Sequence, residues 1–292
     1  MPRPRLALAS VAALAVAALG ACGSATPDAA SGAPAGTGTV GASSCAKASL
    51  KLVSPGTLTV GTDKPAYEPW FSGDDPSNGK GYESAVAYAV AEKLGFAKSE
   101  VKWVVVPFNT AISPAPKSFD LDVNQVSISQ DRRKAVDFSS GYYDVRQAVV
   151  TYKGSPIDGK TSVADLKSAD LGAQVGSTSY TAIKDQIQPS NDPKVFDTND
   201  VAVQALKNKQ IDGIVVDVPT AFYMTAAQLD DGVIVGQLPA AGGTPEQFGA
   251  VLDKDSALTP CVSKAVDALR ADGTLEKLQK QYLAGAGAPE LK

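Results

Sequence analysis

The residues best equipped for chemistry lie in three short stretches. The first, NQVSISQDRRKAVDFSSGYYD from Asn124 to Asp144, sets Arg132, Arg133 and Lys134 directly behind the small-polar run Ser127-Ile128-Ser129-Gln130. The second is Gln174-Val175-Gly176-Ser177-Thr178, and the third is Val215-Val216-Asp217. In the first, a strand over Val123–Ile128 hands over to a helical turn from Gln130, with Ser129 as its cap. In the second, a strand over Leu171–Val175 turns on a glycine and offers Ser and Thr caps to a helix over Ser179–Gln188. Each junction exposes backbone N–H groups and the positive end of a helix dipole, which makes a small anion site. Arg132 follows its cap by three residues, so its guanidinium can curl back and hold a carboxylate through two parallel hydrogen bonds. Arg133 is turned roughly 100° further round the helix, and Lys134 further again; both are expected to face water. Asp217 ends an apolar run and supplies the opposite charge, either to a ligand or as an ordinary N-cap before Pro219.

Several chemistries are excluded. The chain has 292 residues and no histidine, so histidine triads, histidine metal sites and histidine acid–base catalysis are absent. Its three cysteines, Cys22, Cys45 and Cys261, are too few for a thiolate zinc site of the usual kind. No Gly-rich Lys-Ser/Thr loop of the nucleotide type occurs. The formal net charge of −4 argues against a nucleic-acid partner. No metal and no cofactor is expected.

The elements that must position these residues alternate. Strands are expected at Leu58–Thr62, Val101–Val106, Ala148–Tyr152 and Gly213–Val216. Helices are expected at Ser84–Leu94, ended by Gly95, and at Val201–Lys207, Cys261–Arg270 and Leu275–Leu283. Strands alternating with helices give an α/β fold with a largely parallel sheet, which binds ligands beyond the carboxyl ends of its strands.

The N-terminus reads as an address. Arg3 and Arg5 precede an apolar run, Leu6–Leu19, with the length of a signal-peptide core. It ends in Leu19-Gly20-Ala21-Cys22, which resembles a bacterial lipobox. That resemblance implies cleavage after residue 21 and a diacylglycerol anchor on Cys22; a plain secretory signal cut near Ala21 is the alternative. Removing residues 1–21 takes away two cations, so 25 cations against 31 acids leave −6. The stretch that follows, within a 22–49 tether, is Ala, Gly, Ser, Thr and Pro with one charge, Asp28, and cannot bury enough apolar surface to fold. A flexible coil over residues 23–44 would span roughly 25 Å. On the oxidising side of a membrane, with Cys22 lipidated, Cys45 and Cys261 are the remaining pair for one disulfide, the alternative being two buried thiols.

From about Leu58 to Leu283 the chain resembles the polar amino-acid type of ABC-transporter substrate-binding protein, the family 3 solute-binding lipoproteins. The resemblance rests on Leu58-Thr59-Val60-Gly61-Thr62-Asp63 with Tyr67, Pro69 and Trp70-Phe71. It continues through Gly81-Tyr82-Glu83, where the family usually has Gly-Phe-Asp. Ser127-Ile128-Ser129-Gln130-Asp131-Arg132 with Val136-Asp137-Phe138-Ser139 and Tyr142-Tyr143 is similar to its Ser-Ile-Thr-x-x-Arg signature. Val175–Thr178, Val215–Asp217 and Phe248-Gly249 complete it. Asn124 and Gln125 stand where many relatives have small residues, and Ser113-Pro114-Ala115-Pro116 interrupts a segment that is normally helical.

The resemblance implies a bilobal periplasmic-binding fold of type II, two lobes joined by two crossover strands. Lobe 1 would comprise 50–144 and 238–292, and lobe 2 145–237. It implies that Arg132 holds a ligand α-carboxylate, helped by Ser127 and by N–H groups near Ser129 and Thr178. Asp217 would hold the α-ammonium, Tyr67 and Phe108 would sandwich the aliphatic part, and Asp63 would approach the side chain. Trp70 is expected in the core, and Glu68, Asp74, Asp75 and Glu83 on a solvated face. The implied function is capture of a small amino acid by a monomer, lipid-anchored on the extracytoplasmic face of the cell membrane, and its delivery to an ABC permease with its ATPase. Two other readings share the fold: a lyase resembling cyclohexadienyl dehydratase, with Asp217 or Glu83 as base, and a sensory lipoprotein.

Overall fold

The computed structural model describes residues 45–240, 245–283 and 287–292. The expected signal segment, Cys22 and the expected tether up to residue 44 lie outside the described residues.

Leu58–Thr62 (β1) is buried at every position, as a central strand covered on both faces must be. It leads through an aromatic loop to Tyr82–Lys93 (α1), which Gly81 starts from a φ of 92°. Glycine is required there, since a Cβ would lie 2.4 Å from the Trp70 carbonyl oxygen. Val101–Val105 (β2), the single turn Phe108–Ala111 (α2), Leu121–Asp122 (β3) and Asp137–Phe138 (β4) follow. Tyr143–Val145 (β5) leaves this lobe. The second lobe runs through Gln147–Tyr152 (β6), Leu171–Gln174 (β7), Thr178–Ala182 (α3), Lys194–Phe196 (β8), Asn199–Lys207 (α4), Gly213–Asp217 (β9), Val218–Tyr223 (α5) and Gly232–Gln237 (β10). Glu246–Phe248 (β11) returns to the first lobe, which Val251–Leu252 (β12), Thr259–Ala271 (α6) and Thr274–Tyr282 (α7) complete.

Two five-stranded sheets result. The first has the order β2-β1-β3-β12-β4 and the second β10-β6-β9-β7-β8. In the first, β1 runs parallel to β2 and β3 while β12 is antiparallel to β3 and β4. In the second, β7 is parallel to β8 and β9, and β6 is antiparallel to β9 and β10. The two crossover strands β5 and β11 pair antiparallel in a ribbon of their own. The bilobal architecture with two crossing strands is thus present.

Each lobe has its own core. The first centres on Trp70, Phe71, Tyr82 and Phe248 under α1, α6 and α7. Trp70 is fully buried and meets Tyr82, Tyr143 and Phe248 edge-on at 6.1, 5.5 and 5.4 Å between centroids. Such pairs add about 0.5–1.5 kcal/mol each beyond area burial. The second-lobe sheet is covered by separate apolar clusters, one around Leu206, Ile214 and Met224, the other around Ile157, Leu171 and Ile183.

Several segments differ from the sequence reading. Val123–Ile128 is not a continuous strand: Gln125 takes a φ of 49°, and Ser127 makes an isolated bridge to Phe248. The helix expected to Gln188 is α3 followed by a π-helical turn, Ile183–Ile187. Residues 45–49, assigned to the tether from composition, carry structure. Lys47–Ser49 forms a 3-10 turn, Lys47 pairs with Glu100 at 2.6 Å, and Cys45 forms a disulfide with Cys261 on α6. Residues 287–292, assigned from sequence to the first lobe, join the second. Gln237 N–H donates to the Pro289 carbonyl at 2.8 Å and Leu291 N–H to that of Gln237 at 2.9 Å. Leu291 is buried in the second-lobe core, and this apolar anchor at an open strand edge outweighs sequence proximity to α7.

Candidate functional site

The carboxyl ends of β1, β3, β7 and β9 converge on one cavity between the lobes. The first lobe contributes Asp63, Tyr67, Phe108, Asn124, Gln125 and Arg132 to it. The second contributes Gln174, Ser177, Thr178, Ser179, Asn199, Val216, Asp217 and Thr220. Its volume is about 50 Å³, room for ordered water between the lobes.

Arg132 is half-buried and reaches across the gap. Nη1 donates to the Ser127 carbonyl at 2.6 Å in its own lobe, and Nη2 to the Gly176 carbonyl at 2.8 Å in the other. Its guanidinium carbon lies 5.4 Å from the Phe108 ring centroid, a cation–π geometry. Burial lowers its pKa, opposed by the charges of Glu246 and Asp217. Arg132 itself opens a 3-10 turn, Arg132–Lys134, where a helical turn was expected from Gln130, and Ser129 Oγ accepts from Arg132 N–H at 3.2 Å. Arg133 is exposed and lies over the Phe138 ring at 5.6 Å, while Lys134 pairs with Asp131 at 2.7 Å.

On the facing lobe, Gly176 turns with a φ of 72° and Ser177 caps α3, its Oγ accepting from Tyr180 N–H at 3.2 Å. Thr178 opens that helix, where N–H groups lack intrahelical carbonyls. Thr178 Oγ1 lies 3.3 Å from Ser127 Oγ, a second contact across the gap. A third joins Trp70 Nε1 to Thr220 Oγ1 at 3.0 Å.

Asp217 occupies the N-cap position of α5 but makes no capping hydrogen bond. Its Oδ1 instead accepts from Gln147 Nε2 at 2.8 Å, and Gln147 Oε1 accepts from Ser179 at 2.6 Å. Burial first, then the Glu246 charge, pushes the Asp217 carboxyl up to about 8. A second carboxylate therefore stands behind the first: Gln147 Nε2 also lies 3.5 Å from Glu246 Oε2, on crossover strand β11.

Of the residues singled out from sequence, Asp63, Tyr67, Phe108, Arg132, Thr178 and Asp217 all line this cavity. Ser127 and Ser129 are not among its lining residues; Ser127 touches it through Thr178, and Ser129 braces the Arg132 turn. Asp63 has both oxygens engaged by backbone, accepting from Lys64 N–H at 2.7 Å and Phe108 N–H at 3.0 Å. Burial, then the Asp200 charge, raises the Tyr67 hydroxyl. Glu83, expected on a solvated face, is fully buried. Sequence reading passed over Asn199, Thr220 and the Gln147–Glu246 pair, because single polar residues on helices and strands carry no periodic signal. Among the described residues, no group of three or more His, Cys, Asp or Glu could hold a metal ion, and no helix is long and apolar enough to cross a membrane.

Two α/β lobes, crossed twice by the chain and closing on a polar cavity, define a type II periplasmic binding protein. Residues 58–285 match the bacterial extracellular solute-binding proteins, family 3, and the chain belongs to that family. It is 30% identical over 233 residues to the arginine-binding extracellular protein ArtP of Bacillus subtilis strain 168, covering 78% of this chain and 86% of that one. It is 29% identical over 238 residues to the L-cystine-binding protein TcyJ of Escherichia coli K12, covering 80% and 84%. Among solved structures, an ancestral arginine-binding protein bound to arginine is similar with a TM-score of 0.63 and 31% identity, covering 78% of this chain and 98% of that one.

Proposed function

We propose that this protein is a lipid-anchored extracytoplasmic receptor that captures a free amino acid between its lobes and passes it to an ABC importer. One observation carries the reading. A single cation, Arg132, and a half-buried carboxylate, Asp217, come from opposite lobes and line one cavity, matching the two charges of an amino-acid main chain. Arg132 exchanges its carbonyl partners for the ligand carboxylate, with Thr178 N–H beside it, and Asp217 takes the ammonium. Tyr67 and Phe108 flank the aliphatic part. Closure is driven by contacts that exist only with both lobes engaged. The names of relatives, binding arginine, histidine or cystine, support the ligand class.

The test is calorimetric titration of the purified chain with the standard amino acids and L-cystine, preceded by a thermal-shift screen, since a ligand bound only by the native state raises Tm. Absence of binding to every member of this panel would remove the reading. The lipid anchor on Cys22 is checked separately: Cys22→Ala should release the protein from the membrane fraction.

A lyase reading has one structural neighbour to consider, an ancestral amino-acid-binding protein described as a precursor of cyclohexadienyl dehydratase, 27% identical with a TM-score of 0.62. Glu83, one of the two carboxylates considered as a base, does not line the cavity, and this favours binding over turnover. Incubation with prephenate or arogenate distinguishes them.

A further inference from the structure

Gln125 is a non-glycine residue with a φ of 49°, a left-handed conformation that a side chain disfavours. It sits at the mouth of the corner that follows β3 and lines the cavity together with Asn124 and Arg132. What holds it is Glu83, in the first turn of α1. Glu83 is fully buried, and its two carboxylate oxygens take both donors of Gln125: Oε1 accepts the backbone N–H at 2.7 Å and Oε2 accepts the side-chain amide. Oε1 also accepts the Tyr142 hydroxyl. Burial pushes the Glu83 carboxyl up to about 7, while the Tyr142 and Gln125 donors draw it down. The first turn of a helix is itself a favourable place for a carboxylate. The clasp has a product. Asn124, 6% exposed, is set against the cavity with its Nδ2 buried and without a protein partner, a costly arrangement unless a guest supplies an acceptor.

We propose that Glu83 is a positioning residue of the binding cleft, clamping the Asn124–Gln125 corner so that the Asn124 amide meets an acceptor atom of the bound amino acid. The inference rests on the amino-acid reading above and adds to it a residue that touches no ligand. Glu83→Ala frees the corner and leaves Asn124 unaimed. Glu83→Gln keeps an oxygen for Gln125 N–H and Tyr142, and its new amide can donate to a turned-over Gln125. Gln125→Gly takes the left-handed conformation with no clasp at all.

The experiment is titration of wild type, Glu83→Ala, Glu83→Gln and the double variant Glu83→Ala/Gln125→Gly with the panel named above, with Tm recorded for each. Glu83→Ala is expected to bind the best wild-type ligand about tenfold more weakly, the scale of one unpaired polar contact. Glu83→Gln should stay within about threefold of wild type, and Gln125→Gly added to Glu83→Ala should recover at least about threefold. A purely structural role would lower Tm and leave the affinity of the folded protein unchanged. A folded Glu83→Ala within about twofold of wild type, or a double variant no tighter than Glu83→Ala, overturns the proposal. Should Glu83→Ala not fold, Gln125→Ala and Gln125→Gly replace it: Gln125→Ala is expected to bind the more weakly, and equal affinities overturn the proposal. A wild type that binds no member of the panel overturns the amino-acid reading itself, an outcome separate from binding that ignores Glu83.

Discussion

Arg132 and Gly176 are joined across the interlobe gap, the guanidinium Nη2 donating to the glycine carbonyl at 2.8 Å while Nη1 holds the Ser127 carbonyl of its own lobe at 2.6 Å. The side chain proposed to grip the ligand carboxylate is therefore also a tie between the lobes. Removing it strands the carboxylate and loosens the closed form together. Arg132→Ala is expected to weaken amino-acid binding by about 2–5 kcal/mol. Arg133→Ala, from an exposed position, should stay within about 0.5 kcal/mol. Calorimetry on the two variants decides, and equal losses would mean the wrong arginine had been chosen.

The Asp217 carboxyl, pushed up to about 8, is the group with the clearest pH consequence. Burial raises it most, then the charges of Glu246 and Glu83, while Gln147 and Arg132 lower it; Tyr143 is itself raised by burial and then by the Asp217 charge. A ligand ammonium favours the ionised form, so binding near pH 7 should release a proton, and affinity should climb between about pH 6 and 8. Titrations in two buffers of different ionisation enthalpy measure that proton; identical apparent enthalpies would count against Asp217 as the ammonium site. For the ligand-free protein the sign is opposite. The folded state holds the proton more tightly than the unfolded chain, so this contribution is full below about pH 4 and is lost as pH rises to about 8. Asp217→Asn should flatten that slope and abolish the proton release.

The hydrogen bond from Trp70 Nε1 to Thr220 Oγ1 is buried and crosses the gap at 3.0 Å. Thr220→Val leaves the indole N–H without an acceptor, at a cost of about 1–3 kcal/mol to the closed form. Affinity should fall by about tenfold for each 1.4 kcal/mol of that cost. Thr220→Ser, which keeps the hydroxyl, should bind nearly as wild type does. A valine variant with unaltered affinity would show that this contact does not stabilise closure.

The Cys45–Cys261 disulfide closes a loop with a sequence separation of 216. In the chain-entropy account a loop of this size contributes at most about 5 kcal/mol. The double variant Cys45→Ala/Cys261→Ala is expected to melt lower, by about 2–4 °C for each kcal/mol lost. Its ligand affinity should hold, because α6 and Cys45 lie away from the cavity.

How much of this was legible from sequence depended on where each residue's partners lie. β1, α1, β7 and α4 were readable because their patterns are local: an apolar run, a glycine stop, a Ser or Thr cap. The Gly176–Thr178 turn and Arg132 were readable for the same reason. Glu83 was not, because its partners Gln125 and Tyr142 lie 42 and 59 residues on, and a charged side chain read alone looks solvated. The strand expected over Val123–Ile128 failed at Gln125, whose left-handed turn is imposed by that distant carboxylate. β5, β11 and β12 span three, three and two residues, too few for alternation to show. Asp217 could be read two ways from its neighbours, and only its bond to Gln147, on another strand, shows that it is not a capping carboxylate.

Cys45 is fastened to the first lobe through α6, whereas Lys292 hydrogen-bonds to Val163 and Thr161 on the second, at 2.9 and 3.0 Å. Fluorophores carried at exposed Lys51 and at Lys292 would thus ride on separate bodies. Energy transfer between them becomes a ruler for hinge travel, read without touching a single residue of the cleft.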